Sequence, residues 1–389
     1  MTMGAIYPRR KAKLQPMSGI YVHIPFCVQA CTYCDFHFTT RLSDRNAMVK
    51  ALIGELRAQM PNWSEHTFRT LYFGGGTPSL LTPSELAEIA KVAHEEGQWE
   101  LNEWTVEANP EDLNPNTLAA LKEAGINRLS IGVQSFQPEV LQWMNRIRGN
   151  CNAKQAVEWA AEAGFEHLSL DLIYGVPVGD HRRWEDDLET ACNLPVDHLS
   201  CYILTAEPKT AYGHQLRIGT LSAPPDERVL DEYATLCDKT KKAGFEHYEV
   251  SSFAKPGGRS KHNSAYWDGT PYLGIGPGAH SFLDGCRWWN ARSNARYMKS
   301  AEKGDFTTQR DSELLDANDR FNEALITGLR RVEGVDPKAL LKHTGLDIQS
   351  QSKLAALLAD GRCEWVNGRL RIPEAHWPLA DAITLELIK

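Results

Sequence analysis

The chain has no continuous apolar stretch of the about 18 residues that a membrane-spanning helix needs. Its first residues include Arg9, Arg10, Lys11 and Lys13 but no apolar core of the kind found in a secretory signal peptide. These absences lead us to expect a cytoplasmic protein without a transmembrane segment. Residues 1–17 are predicted to be a disordered extension, to which no function is assigned.

A surplus of positive charge is also missing. The 50 Asp and Glu residues outnumber the 42 Lys and Arg residues, so the formal net charge is −8. Such a balance does not favour a broad surface for a phosphate backbone, and we expect no nucleic-acid partner. A disulfide framework is not expected either, because the chain is long, the cysteine count of nine is odd and most of these residues are scattered singly. What remains is an ordinary globular composition over 389 residues.

Three of the cysteines lie close together, directly after an apolar stretch that is typical of a β-strand. Cys27, Cys31 and Cys34 follow the pattern C-x3-C-x2-C. Three thiolates at this spacing favour a soft metal centre with one open position, such as a 4Fe-4S cluster on three cysteines. Zinc is the alternative, with His23 or His37 completing the ligand set, although structural zinc sites usually carry paired C-x2-C knuckles.

Segments with strand and helix patterns alternate from residue 18 to residue 215. Six strand–helix units predict a parallel sheet with right-handed crossovers, either doubly wound or closed towards a barrel. Polar or glycine-rich groups follow every strand, and in a barrel these ends share one mouth. We therefore predict a partial (β/α)6 TIM-like barrel with an open side. After the cysteine loop, strands are predicted over 69–73, 104–107, 127–133, 167–174 and 197–204, and helices over 45–60, 84–94, 115–124, 137–145, 153–163 and 183–192.

The pattern changes after the barrel. Residues 216–305 are predicted to elaborate it with a helix over 224–242, a strand over 245–253 and a loop rich in glycine and aromatic residues over 256–290. Residues 306–389 are predicted to form a small winged-helix-like α+β domain, in which helices over 316–330, 336–344 and 350–359 precede a hairpin. Asn367-Gly368 between two alternating arms indicates a type I′ turn in this hairpin.

The cysteine loop closely resembles that of the radical S-adenosylmethionine (SAM) enzymes. The resemblance includes the aromatic Tyr33 before the third cysteine and the run Gly74-Gly75-Gly76-Thr77-Pro78 after the second strand. It implies that SAM binds the open iron, that Tyr33 lies against its adenine and that the glycine run binds its amino group. An arginine facing a carboxylate and an acid facing ribose hydroxyls are sensible partners for the rest of SAM. The implied SAM-binding residues are Tyr21, Tyr33, Gly75, Gly76, Thr77, Glu107, Gln134, Arg146, Asp171 and Thr205.

Further motifs resemble the oxygen-independent coproporphyrinogen III oxidase superfamily, which lies within the radical SAM enzymes. They are Val106-Glu-Ala-Asn-Pro110, Gly132-Val-Gln-Ser-Phe136, Asn145-Arg146 and Asp171-Leu-Ile-Tyr-Gly-Val-Pro177. The decarboxylating branch has a fourth cysteine where this chain has Phe36. The chain is more similar to the branch of HemW-type haem chaperones, which has the motifs found here as His262-Asn-Ser-Ala-Tyr266-Trp267 and Gly274-Ile-Gly-Pro-Gly-Ala-His280-Ser281.

The resemblance implies a haem chaperone that binds a 4Fe-4S cluster, SAM and haem and delivers haem to acceptor proteins. Imidazole and flat aromatic rings suit haem, so His262 is the first candidate contact and His280 the second, together with Tyr266 and Trp267. In the other interpretation His262 caps a loop, and Tyr266 and Trp267 pack in the core. The alternative functions are an oxygen-independent coproporphyrinogen III oxidase, a radical SAM enzyme that modifies haem, and a zinc-stabilised scaffold. Catalysis by any of the radical enzymes would need an electron donor.

Overall fold

A computed structural model of the chain describes residues 17–146, 152–178 and 183–389. The predicted disordered extension lies outside the described residues, except for Met17, which begins the first strand. Among the helices of the described residues, none is both long and apolar enough to cross a membrane.

Six parallel strands form the centre of the fold, and each hydrogen-bonds to the next in chain order. They are β1 (Met17–Ile24), β2 (Thr67–Gly75), β3 (Gln98–Ala108), β4 (Arg128–Gln134), β5 (His167–Tyr174) and β6 (His198–Ile203). The connecting helices are α1 (Arg45–Gln59), α2 (Pro83–Glu96), α3 (Pro115–Glu123), α4 (Pro138–Trp143), α5 (Ala153–Glu162) and α6 (Trp184–Asn193). The predicted alternation of strands and helices, and with it the α/β fold class, is confirmed.

The alternation of side chains along β1 shows how the sheet separates the core from the site. Ile20, Val22 and Ile24 are fully buried in the hydrophobic core. Tyr21 and His23 point to the opposite face, because successive side chains of a strand alternate, and both line a cavity there. One face of β1 thus packs in the hydrophobic core, and the other face lines the candidate site.

The sheet continues beyond the six parallel strands on both sides. Helix α7 (Ala211–Arg217) and helix α8 (Asp226–Lys242) lead to β7 (Glu246–Glu249) and β8 (Ser252–Ala254), which extend the β6 edge. On the β1 side come α9 (Lys261–Trp267), β9 (Tyr272–Ile275), β10 (His280–Leu283), β11 (Cys286–Asn290), α10 (Asn294–Lys303) and β12 (Arg310–Leu314). Among the described strands, β12 and β7 are the two ends of the sheet and do not pair, which leaves the barrel incomplete.

Two predictions for this region are wrong. The single strand predicted over 245–253 is two short antiparallel strands, because the chain reverses between Glu249 and Ser252. The loop predicted over 256–290 contains a helix and three strands. Its glycines allow tight packing rather than irregular backbone: a Cβ on Gly274 would lie 1.9 Å from the backbone oxygen of His280.

The C-terminal residues form helices and a two-stranded hairpin, as predicted. The helices are α11 (Ala317–Gly328), α12 (Pro337–Thr344), α13 (Leu354–Ala359) and α14 (Ala380–Leu385), and the hairpin pairs β13 (Glu364–Val366) with β14 (Arg369–Arg371). Asn367 and Gly368 have φ values of 51° and 76°, as a type I′ turn requires. The proposed domain boundaries stay predictions, and β12 shows that the main sheet extends past residue 306.

Candidate functional site

The three loop cysteines, Cys27, Cys31 and Cys34, follow the C-terminal end of β1 and line one cavity of about 550 Å³. We call this space the cysteine cavity. The loop is held by neighbouring backbone: the Cys27 amide donates to the Thr39 carbonyl at 3.0 Å, and the Thr32 hydroxyl donates to the Trp143 carbonyl at 2.7 Å. All three thiols are partly exposed and therefore accessible to a metal centre.

The spacing of the sulfur atoms distinguishes a cluster from a single ion. In the described part of the chain, the three cysteine sulfurs do not all lie within 4.8 Å of one another. Thiolates on one tetrahedral zinc ion would be about 3.8 Å apart. A four-iron cube is wider than one ion and accepts thiolates that are further apart. The donor set of the loop cysteines therefore fits a 4Fe-4S cluster better than zinc.

The histidines considered as a fourth zinc ligand are already engaged. His23 contacts the Tyr21 hydroxyl through Nδ1 at 3.1 Å and the His37 carbonyl through Nε2 at 2.8 Å. Burial lowers the pKa of His23 to about 4, so its ring is neutral at physiological pH. The His37 Nε2 atom lies 2.8 Å from the Asn294 side-chain oxygen. These contacts stabilise the cysteine loop, and they engage both ring nitrogens of His23 and one ring nitrogen of His37.

The glycine run packs against the cysteine loop as closely as backbone allows. A Cβ on Gly76 would lie 2.6 Å from the Phe26 carbonyl oxygen, and Gly75 has a φ of 109°. The Gly76 amide donates to the Ile24 carbonyl at 2.8 Å, and the Thr77 hydroxyl donates to the Cys27 sulfur at 3.5 Å. Only glycine fits these two positions without displacing the cysteine loop.

Two carboxyl groups on neighbouring strands line the cysteine cavity. Glu107 accepts hydrogen bonds from the Tyr72 hydroxyl at 2.8 Å and the Gly75 amide at 3.0 Å. Burial, together with the charge of Asp171, raises the pKa of Glu107 to about 7. Burial also raises the pKa of Asp171 to about 6, although this carboxylate accepts from the Ser130 hydroxyl at 3.1 Å. A cation in the cavity would favour the ionised form of both groups.

A guanidinium group and an uncharged amide also line the cysteine cavity. The Arg146 guanidinium donates to the Asn109 side chain at 2.9 Å and lies 3.8 Å from the Cys31 sulfur. The side-chain oxygen of Gln134 is buried without a hydrogen-bond partner among the described residues, and Gln134 itself has a φ of 66°. A buried acceptor left unpaired is costly, so this position fits a ligand that donates a hydrogen bond.

The structure brings most of the predicted cluster and SAM residues together. The cysteine cavity is lined by Cys27, Cys31, Tyr33, Cys34, Gly75, Gly76, Thr77, Glu107, Gln134, Arg146, Asp171 and Thr205. Tyr21 is the exception, since it lines the neighbouring cavity. The roles assigned to these residues stay predictions. Their convergence shows that the carboxyl ends of the six parallel strands meet at one mouth.

A second cavity, of about 300 Å³, adjoins the first. We call it the histidine cavity, after His23, His37 and His280 in its lining. The two cavities share four lining residues: Phe36, Gly75, Glu107 and Arg292.

Sequence reasoning missed Arg292 and did not single out Asn109. Arg292 follows β11, just beyond the loop predicted over 256–290, and nothing in its sequence neighbours indicates a site. Asn109, by contrast, stands in the Val106–Pro110 motif, so a signal was present.

His262, the first predicted haem contact, lies behind the histidine cavity and does not line it. It is 2% exposed, and its ring stacks on Tyr72 at 4.9 Å. Nδ1 lies 2.7 Å from the Thr70 hydroxyl and Nε2 lies 2.9 Å from the Tyr266 hydroxyl. With both ring nitrogens engaged, His262 can reach an iron only after breaking these contacts. In this arrangement it supports Tyr266, and its haem contact stays a prediction.

The other predicted haem residues differ in accessibility. His280 is exposed, lines the histidine cavity and stacks on Trp289 at 5.5 Å. Tyr266 lines the same cavity and meets Tyr272 edge-on at 4.5 Å. Trp267 lines neither cavity and packs beneath the Arg330 guanidinium at 5.6 Å, which agrees with the packing interpretation for this residue.

The sequence profile of the Radical SAM superfamily matches residues 21–191. The solved structure "Coproporphyrinogen III oxidase (HemN) from Escherichia coli is a Radical SAM enzyme" aligns with a TM-score of 0.82 and covers 96% of this chain and 91% of that chain, at 24% identity. The profile thus assigns residues 21–191 to the Radical SAM superfamily, and the solved structure shows the same fold over nearly the whole chain.

Two relatives identify the family within this superfamily. "Heme chaperone HemW" of Bacillus subtilis is 35% identical over 333 residues, which are 85% of this chain and 87% of the relative. "Heme chaperone HemW" of Escherichia coli is 34% identical over 341 residues, or 86% of this chain and 88% of the relative. The chain therefore belongs to the HemW family of the radical SAM superfamily.

Proposed function

We propose that this protein is a cytoplasmic haem chaperone. It holds a 4Fe-4S cluster on the three loop cysteines, binds SAM in the cysteine cavity, binds haem in the histidine cavity and passes the haem to acceptor proteins. The observation that carries this proposal is that an exposed imidazole, that of His280, lines a cavity adjoining the one that contains the cysteines. The heme-chaperone names of the two relatives support the assignment.

The polar groups of the cysteine cavity suit SAM, which carries positive and negative charge. Glu107 and Asp171 offer carboxylates to its cationic end and ribose, and Arg146 offers a guanidinium to its carboxylate. The unpaired Gln134 oxygen accepts a further hydrogen bond. SAM bound to a cluster supplies radical chemistry when an electron donor is present, whereas haem carriage needs only the binding.

The groups around His280 suit haem. Partial desolvation of the ring by the cavity wall, together with the charges of Arg292 and Arg287, lowers the pKa of the otherwise exposed His280, so the neutral imidazole that coordinates iron prevails at physiological pH. Arg292 is positioned to pair with a haem propionate. Phe36, which is 73% exposed, supplies apolar surface where the two cavities meet. We therefore assign the iron contact to His280 in preference to the enclosed His262.

Haem titration of the cluster-loaded chain tests the binding part. We expect one haem per chain, and we expect His280→Ala to weaken binding by at least about tenfold and to alter the Soret band. His343→Ala is the matched control, because His343 is an exposed histidine on α12, far along the chain from both cavities. If the wild type fails to bind haem stoichiometrically, the proposal is wrong.

One further variant, compared with His280→Ala, separates the two assignments of the iron contact. His262→Gln preserves a polar side chain between Thr70 and Tyr266, and we expect it to retain most haem affinity. Loss of binding in a folded His262→Gln chain, with binding intact in His280→Ala, would return the iron contact to His262.

Transfer experiments test delivery. Haem-loaded chain is mixed with a haem-free acceptor, and we expect faster acceptor loading than with free haem at the same concentration. Anaerobic incubation with dithionite and SAM tests turnover separately: formation of 5′-deoxyadenosine above background, with loss of the Soret band, would instead indicate an enzyme that modifies haem. Consumption of coproporphyrinogen III would indicate the oxidase.

A further inference from the structure

A separate group of metal-ligating side chains lies outside both cavities, at the β7 edge of the main sheet. It consists of Cys237 from α8, His247 from β7 and Glu374 from the segment after β14. One ligand atom from each residue lies within 4.8 Å of the other two. The Cys237 sulfur is 3.8 Å from His247 Nδ1, and the same nitrogen is 2.8 Å from a Glu374 carboxylate oxygen.

The His247 ring is held in one orientation. Its Nε2 atom lies 3.3 Å from the Val250 carbonyl oxygen, which can only accept, so this nitrogen carries a proton. The ring stacks on Phe253 at 4.0 Å and meets the edge of Trp377 at 4.4 Å. A histidine whose second nitrogen donates to a carbonyl has the arrangement typical of metal ligands, because that bond fixes the tautomer.

The positions of Cys237 and Glu374 around His247 exclude a catalytic triad of cysteine, histidine and acid. In a cysteine–histidine–acid triad, the nucleophile and the acid contact different ring nitrogens. Here Cys237 and Glu374 both face Nδ1. A nitrogen lone pair and a carboxylate oxygen at 2.8 Å repel each other unless a proton or a cation lies between them. A divalent cation would be bound by all three side chains at once.

We propose that Cys237, His247 and Glu374 bind a divalent transition-metal ion, with zinc as the preferred ion. The mixed sulfur, nitrogen and oxygen donor set is one that zinc accepts. Tetrahedral zinc places sulfur and nitrogen ligands about 3.6 Å apart, and nitrogen and oxygen ligands about 3.3 Å apart. The distances here are 3.8 and 2.8 Å. The longer nitrogen–oxygen distance that zinc requires would be reached by a movement of Glu374, whose side chain is 56% exposed.

A second observation points to the same place. Tyr233 is 6% exposed, and its hydroxyl contacts the Cys237 thiol. The Tyr233 phenol therefore lies beside the ligand group. This hydroxyl is available to a water molecule in the open coordination position. Lys241, an exposed residue of α8, is the positive charge that acts on Glu374.

The ligands join parts of the chain that are distant in sequence. Helix α8 and strand β7 belong to the sheet edge, whereas Glu374 follows the C-terminal hairpin. Bound metal would fasten the C-terminal residues to the main sheet, and occupancy should therefore stabilise the folded chain.

Metal analysis of the full chain with its iron–sulfur cluster assembled tests the proposal. The loaded chain is titrated with zinc against a chromophoric chelator, desalted, and analysed for iron and zinc. We expect one zinc per chain with the iron content unchanged, and a higher melting temperature with zinc. Glu374→Gln and Cys237→Ser should each weaken zinc binding by at least about tenfold and abolish the thermal shift.

The matched control is Cys192→Ser, which removes a partly exposed thiol of α6 outside the ligand group. It should bind zinc as the wild type does. Because Glu374 is exposed, its variant should remain folded, as equal melting temperatures without zinc would show. Equal zinc affinity in wild type and Glu374→Gln would overturn the proposal, and so would zinc that binds only by displacing iron.

Discussion

Replacing Glu107 by Gln should make the metal-free and ligand-free chain more stable at alkaline pH. The carboxylate is held among buried groups and near Asp171, and these surroundings raise its pKa from the ordinary 4.5 to about 7. Gln keeps the shape of the side chain: its oxygen can accept from the Gly75 amide, and its amide group can donate to the Tyr72 hydroxyl. The substitution therefore removes the charge and preserves the local contacts.

The direction in which folding stability changes with pH follows from proton binding. Between pH 4.5 and about 7 the folded chain holds a proton on Glu107 that the unfolded chain has released. Stability is greatest below this range and falls as the pH rises through about 7. The pKa difference corresponds to at most about 3 kcal/mol. Water in the cavity still reaches part of the side chain, so we expect about 2 kcal/mol.

Urea unfolding of wild type and Glu107→Gln between pH 5 and pH 8 measures this effect. The gain in free energy of unfolding from the substitution should grow by about 2 kcal/mol across that range. Glu88→Gln, at an exposed position of α2, is the control and should show no pH-dependent gain. A difference between wild type and Glu107→Gln that stays constant from pH 5 to pH 8 would refute the reasoning.

Three further predictions concern other parts of the fold. Burial lowers the pKa of His262 to about 3. The wild type should therefore lose stability as the pH falls below 6.5, by up to about 1.4 kcal/mol per pH unit. Acid unfolding curves should show a smaller loss for His262→Gln. Gly76→Ala should lower the iron content of the reconstituted chain, because its Cβ would lie 2.6 Å from the Phe26 carbonyl oxygen. An iron content equal to that of the wild type would contradict the close packing of the two loops. Thr82→Ala should cost about 1 kcal/mol in thermal unfolding, since its hydroxyl accepts from the Glu85 amide at the start of α2.

The cysteine loop shows how much of the candidate site was predictable from sequence. The positions of Cys27, Cys31 and Cys34 in a short segment leave little freedom for the thiols to diverge, and the structure places them in one cavity. Glu107 and Asp171 line the same cavity, because the ends of parallel strands meet at one mouth of a barrel, while their roles stay predictions. In these cases local spacing or strand order limits where a side chain can lie.

The structure of residues 256–290 was predicted poorly, because local spacing does not limit it. Its short strands β9, β10 and β11 pair with one another and with β1, so their stability comes from distant partners. Strand preference depends on such partners more than on the residues themselves. Glycines that permit close packing in the structure therefore looked like loop residues in the sequence.

The sequence by itself determined the six strand–helix units, the cysteine loop with its glycine run, and the C-terminal hairpin, because each depends on residues within one short segment or on strand order. Only the tertiary structure decided which histidine is accessible. His262 and His280 both stand in motifs with neighbouring aromatic residues, yet the Thr70 and Tyr266 hydroxyls enclose one ring while the other lines a cavity. The ligand group of Cys237, His247 and Glu374 is likewise tertiary, since 127 positions separate its histidine from its carboxylate. Contacts between such distant residues depend on the packing of the whole fold, which no local pattern records.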